Sequence, residues 1–196
     1  MNQSKNVELD TQQKELVDKY REINVDHNDW YDYIWEEFIL EMIKKGINAD
    51  EMNYSGFCSQ GDGASFTGKI DMSVFLKAHD LEHQYQGAVH FANTDELPAR
   101  LVRSGRYPHE GSITLDMDCD GWNNYNEDDI RHATYDTLYE ILQDEWKELE
   151  ADVLEICRGY MRDLYRKLEE GYEALTSDEA VWDTIVANDL HVLEAA

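Results

Sequence analysis

The sequence predicts an α+β fold: a small antiparallel sheet of two hairpins, packed by N-terminal helices and a long C-terminal helical region. Three observations carry this prediction. Apolar residues recur at helical spacing through the first and last thirds of the 196 residues. The middle third turns to Gly, Ser and aromatics, alternates apolar with polar positions, and holds both prolines, Pro98 and Pro108. No low-complexity linker or internal repeat divides the chain, so one domain over 1–196 is expected. Within it, 1–48 reads as helical, 49–120 as hairpins with a short intervening helix, and 126–190 as helical again.

In chain order, "TQQKELVDKYREI" reads as a first helix and "NDWYDYIWEEFILEMIKKGI" as a second, with Asn28 or Asp29 as its cap. Trp30, Ile34, Phe38, Ile39 and Met42 recur at helical spacing in the second, and Gly46 can close it. "MNYSGFCSQGDGASFTGKI" then reads as two strands around a turn at 60–63, followed by a helical patch over 73–91. "ARLVRSGRY", a turn at "PHEG" and "SITLDMDCD" read as the second hairpin, with Tyr107 paired to Ile113. That register sets Ser104 opposite Asp116 and Arg100 opposite Asp120, so Arg100, Arg106 and the aspartates share one polar face. Phe57, Phe66, Leu115 and Met117 are expected to face the helices.

Between 126 and 171 there is no proline. Ile130, Leu138, Leu142, Trp146, Leu149, Val153, Ile156, Tyr160, Leu164 and Leu168 mark an apolar stripe, either one very long helix or two packed ones. Thr176 with Glu179 reads as a capping box that opens a last helix, "SDEAVWDTIVAND".

Charge narrows the function classes. Forty-three acids against 17 bases give a net charge of −26, which disfavours direct binding to nucleic acid or to an anionic membrane. A partner with a basic groove is instead attracted over long range. Cys58, Cys119 and Cys157 are odd in number and lack CxxC pairing, the pattern of a reducing cytosol. The start "MNQSKNVELD" has no apolar core of a signal peptide, and no apolar run approaches the length of a membrane span. A cytoplasmic protein is expected.

Four stretches carry candidate chemistry. "DMDCDGWNNYNE" matches a calcium loop, with acids at Asp116, Asp118 and Asp120 and with Glu127 in twelfth place. However, Ile113, Leu115, Met117 and Cys119 alternate with polar neighbours, as on a half-buried strand. Same-face residues there stand about 6.6–6.8 Å apart, so three aspartates spread over roughly 13 Å and cannot share one ion. Asn123 also stands where such loops carry an aliphatic residue. The four acids are metal candidates only if the chain curls from Asp120.

"HDLEH" has the order of inverted zinc proteases, with His79 and His83 as ligands and Glu82 as base; Glu150 or Glu155 would have to be the third ligand. Ser59, Gln60, Gly61, Asp62 and Gly63 form a glycine-rich loop that could hold an anion on backbone N–H groups, although turn geometry with positive φ is the better account of its glycines. "WYDYIWEEF" is a core stripe or a contact patch around Trp35. No nucleophile with a base stands out, and no cofactor is expected.

"YSGFCSQGDGASFTG", the strand passage "SGRYPHEGSITLDMD" and "YRKLEEGYEALTSDEAVWDTIVAND" together resemble a widespread family of bacteriophage and prophage accessory proteins with SGF-x-SQGDGASF and YxxLTSDEAV segments. The resemblance extends over most of the chain from Tyr31 onward. It implies a phage or mobile-element setting, where small acidic proteins often inhibit host or defence machinery.

The leading expectation is therefore a non-enzymatic protein of the bacterial host cytoplasm that binds a host or defence protein with a basic surface, in the manner of nucleic acid. Asp144, Glu145, Glu148, Glu150, Asp152 and Glu155 on the long helix are the expected contacts, with Arg100 and Arg106 as a second, mixed-charge face. The alternatives are a small-molecule or calcium-binding protein using the glycine-rich loop or the Asp116 segment, and a zinc hydrolase using His79, Glu82 and His83.

Overall fold

The structure, a computed structural model, describes residues 9–27, 29–119 and 132–193. In chain order it runs α1 (Thr11–Lys19), α2 (Asp32–Ile43), β1 (Ile47–Ser55), β2 (Gly63–Ile70), α3 (Met72–Ala78), α4 (Gln86–Asn93) and β3 (Ala99–Arg103). A 3-10 turn (Glu110–Ser112), β4 (Ile113–Met117), α5 (His132–Leu175), α6 (Asp178–Ala187) and α7 (Leu190–Leu193) follow. The fold is α+β, as the sequence predicts. Two compact units are present: one takes the chain up to Ile34 and from Arg166 on, the other Trp35–Tyr165.

The first unit is helical. Leu9, Val17, Val181 and Ile185 form its buried cluster, with Leu16, Tyr20, Ile23, Trp182 and Leu190 packed around them. α1 starts in a capping box: the Asp10 carboxylate accepts from Gln13 N at 2.9 Å, and Asp10 N donates to Gln13 Oε1 at 2.8 Å. α6 differs from expectation at its start. Its cap is Ser177, whose Oγ accepts from Ala180 N at 3.3 Å, while Thr176 Oγ1 donates back to Tyr172 O at 2.8 Å. α5 runs on through Leu175, so Ser177 is where the extended conformation of a cap appears. Arg21 and Asn24 satisfy carbonyls at the end of α5, donating to Thr176 O at 3.0 Å and Leu175 O at 2.9 Å.

The second unit is built on the sheet. Among the described residues its strands lie in the order β1-β2-β3-β4, all antiparallel. One face carries Ile47, Phe66, Ile70, Leu101, Ile113 and Leu115, all buried. The opposite face carries Asn53, Thr67, Lys69, Arg100, Thr114 and Asp116, as strand alternation requires. Phe66 meets Phe38 of α2 at 5.8 Å between ring centres. Phe57 lies beyond β1 in the loop, its ring 5.4 Å from Tyr165 of α5. Met117 is half-buried.

The second hairpin does not keep the expected register. Ile113 pairs with Arg103, not Tyr107, and Arg100 stands opposite Asp116, not Asp120, which lies outside the described residues. Residues 104–112, with Pro108 and the 3-10 turn, form a longer connection than a tight turn, so pairing shifts by four residues. Arg106 falls in that connection, outside both strands, and is exposed. Arg100 stays on the polar face but pairs with Asp50 at 2.7 Å. Asp50 is the extra residue of a bulge in edge strand β1, which brings its carboxylate toward β3.

The short helical patch is two helices, α3 and α4. The long C-terminal stretch is a single helix of 44 residues, α5, with the expected positions 126–131 outside the described residues. Leu142, Leu149, Val153 and Leu164 of its apolar stripe are fully buried, as are Cys157 and Met161, whereas Ile156 and Tyr160 sit at the margin. Burial pushes the Cys157 thiol up to about 12, which makes it a packing group and not a reactive one.

Candidate functional site

α4 begins without a cap of its own: Tyr85, at the cap position, makes no side-chain hydrogen bond to the helix. α5 supplies what is missing. The Glu145 carboxylate accepts from Gly87 N at 3.1 Å and from Ala88 N at 3.3 Å, placing a negative charge on the positive end of α4. Gly87 permits this close approach, since a Cβ there would stand 2.6 Å from Leu142 N. One face further along, Asp152 accepts from the Tyr85 hydroxyl at 2.6 Å and from Gln84 Nε2 at 3.3 Å. Burial first, then the Asp152 carboxylate, raises the Tyr85 phenol well above its ordinary value.

The six acids expected as one contact row on α5 therefore divide. Glu145 and Asp152 hold α4 and Tyr85. Glu155 is exposed but pairs with Arg162 at 2.7 Å. Glu150 is half-buried and points about 200° around the helix from Glu148. Asp144 and Glu148 remain exposed, one turn apart, and Glu140 extends them by another turn. Sequence reasoning missed Glu140, although its i, i+4 spacing to Asp144 and Glu148 is a readable signal.

The glycine-rich loop is occupied by its own side chain. Asp62 Oδ2 accepts from Cys58 N at 2.9 Å and from Ser59 N at 2.6 Å, taking N–H groups that an anion would need. Gly61 has φ +99, a left-handed value that suits glycine, and the Tyr107 ring lies against it. A Cβ on Gly63 would stand 2.3 Å from His109 Cβ. The Tyr107 and His109 rings are near parallel, 6.3 Å between centres, and His109 Nδ1 accepts from Gly111 N at 2.9 Å. The "SQGDGAS" and "RYPHEG" passages thus pack on one another as a loop pair, with Ser59, Gln60 and Arg106 exposed around it.

"HDLEH" is not a helix. His79 ends α3, Asp80 takes φ +58, and Glu82 and His83 lie in the turn before α4, so the histidines are not stacked one helical turn apart. Both His79 nitrogens are engaged: Nδ1 donates to Phe75 O at 2.7 Å and Nε2 accepts from Tyr160 OH at 2.7 Å. That pattern is the neutral imidazole, and burial holds its pKa below the ordinary value. Asp116 lies in β4 and Asp118 just past it, where its carboxylate accepts from Cys119 N at 2.8 Å; Asp120 and Glu127 lie outside the described residues. No group of three or more His, Cys, Asp or Glu among the described residues is placed to hold a metal ion. Asp118 also lines a hollow of about 350 Å³ with Tyr139, Leu142 and Trp146. No described helix is long and apolar enough to cross a membrane.

Residues 30–178 match the family model described as "Domain of unknown function (DUF8835)". The matched stretch takes in the sheet, α3, α4 and α5, and leaves out α1 and nearly all of α6. No curated protein and no solved structure matches the chain.

Proposed function

This chain belongs to the DUF8835 family, and we propose that it is a non-enzymatic binding protein that docks the outer acidic face of α5 on a basic protein surface. The row of exposed carboxylates at Glu140, Asp144 and Glu148 carries this reading. Each lies about 6 Å along the axis from the next, and Glu155 continues the row about two turns on. Fixed anionic points at that spacing meet Lys and Arg in a groove much as phosphates do. The helix is formed in advance, so little ordering cost falls on binding, and a net charge of −26 accelerates encounter.

The motif resemblance supports a phage or mobile-element setting. There, a bacterial host or defence protein that itself grips nucleic acid would be inhibited by occupation of its groove. The test is capture of partners from bacterial lysate by the full chain, with mass spectrometry of what co-elutes, followed by elution with duplex DNA. A basic partner that DNA releases, and that a Glu140→Gln, Asp144→Asn, Glu148→Gln variant of unchanged melting temperature fails to hold, supports the reading. A partner indifferent to both DNA and the variant rejects it.

A further inference from the structure

α2 is apolar on two opposite sides. Phe38 and Met42 face inward and are buried. Leu40 and Ile43 fall about 140–160° around the helix from Phe38, and they are 61% and 48% exposed. A helix face turned to water is ordinarily polar, and Leu40 and Ile43 break that pattern beside the exposed Glu36. Leu40 and Ile43 stand one turn apart, so they form one spot, and Val74 of α3 is also exposed at 38%. The two helices meet close by: a Cβ on Gly46, three residues past Ile43, would stand 2.7 Å from Phe75 N.

We propose that this open side of α2 is a docking face for an amphipathic helix of another protein, whose apolar seam is flanked by Lys or Arg. An apolar pair one turn apart matches the i, i+3 or i+4 anchors of such a helix. Charge selects the flanks. Glu36, Glu37 and Glu41 of α2 are exposed near Leu40 and Ile43, against the exposed bases Lys44 of α2 and Lys77 of α3. The same charge argues against a second copy of this chain, which would bring the same carboxylates and a further −26. The face is separate from the acidic row of α5, and the proposal stands without it.

The test uses a displayed library of 18-residue helical peptides with a fixed leucine seam and randomised flanking positions, selected on the full chain. Counter-selection uses a Leu40→Ser, Ile43→Ser variant. Both substitutions are at exposed positions, and circular dichroism with thermal melting checks that the fold is kept. The expected result is enrichment of Lys and Arg at the flanks, with binding to the variant weaker by about tenfold or more. Flanks that enrich acidic or random residues, peptides that bind the variant equally, or no enrichment at all overturn the proposal. Sedimentation equilibrium that finds a dimer dissolved by the two substitutions also overturns it and assigns the face to a second copy. Glu140→Gln, Asp144→Asn, Glu148→Gln should leave peptide binding unchanged, which separates this face from α5.

Discussion

The Tyr85 hydroxyl donates to the Asp152 carboxylate at 2.6 Å, joining the start of α4 to the middle of α5. Seven residues earlier on α5, Glu145 accepts the first free N–H groups of α4. Two acids of a strongly acidic helix are thus structural, while Asp144, just before Glu145, and Glu148, between the two, stay exposed. Stability measurements can tell the two kinds apart.

Asp152→Ala leaves the buried Tyr85 hydroxyl without its acceptor and is expected to cost about 1–3 kcal/mol in urea unfolding. Asp144→Ala, at an exposed position, should stay within about 0.5 kcal/mol of the parent. Equal losses from the two would contradict the division.

Tyr85 also sets an alkaline limit. Its phenol is held above the ordinary value of 10.0, so the folded state keeps the proton longer than the unfolded state. The contribution is full below about pH 10 and is lost as pH climbs toward the folded value. Urea midpoints measured from about pH 9 to 11 should fall in the parent and fall less in Tyr85→Phe.

His79 acts at the acid end with the opposite sign. Burial, aided by Lys45, lowers its pKa from 6.5, so the unfolded chain takes up the proton first. Stability should be full above about pH 6.5 and decline as pH falls below it. A His79→Gln variant, weaker throughout, should show a flatter profile between about pH 7 and 5.5; parallel profiles would remove His79 as the cause.

Three glycines should respond differently to the same added methyl group. Gly63→Ala meets His109 Cβ at 2.3 Å and Gly87→Ala meets Leu142 N at 2.6 Å, so each should lose about 1–3 kcal/mol. Gly159, in the interior of α5, has only the Arg162 guanidinium at 3.7 Å, and Gly159→Ala should gain up to about 1 kcal/mol. Denaturant unfolding of the three variants side by side checks the contrast.

Much of the fold was legible in the residues. Alternation at Ile113, Leu115 and Met117 marked β4, and the spacing of Leu142, Leu149, Val153 and Leu164 marked α5. The site was less legible, because a carboxylate that caps another helix looks in sequence like one that faces water. Glu145 and Gly87 are 58 residues apart, and Asp152 and Tyr85 are 67 apart. Nothing local to either acid signals the partner.

By itself, the sequence determined the α+β class, the buried side of β4, most of the buried stripe of α5, and the net charge. These follow from local periodicity, which decides which side chains can be buried together. Tertiary structure alone decided the hairpin register, the partners of Glu145 and Asp152, and the filling of the glycine-rich loop by Asp62. It also turned "HDLEH" into a helix end and a turn. The register shows the reason plainly. Moving the pairing from Tyr107 to Arg103 shifts it by four residues, an even number, so every side chain keeps its face and the pattern is the same for both. Periodicity fixes which face turns inward, but packing and loop length decide what that face meets.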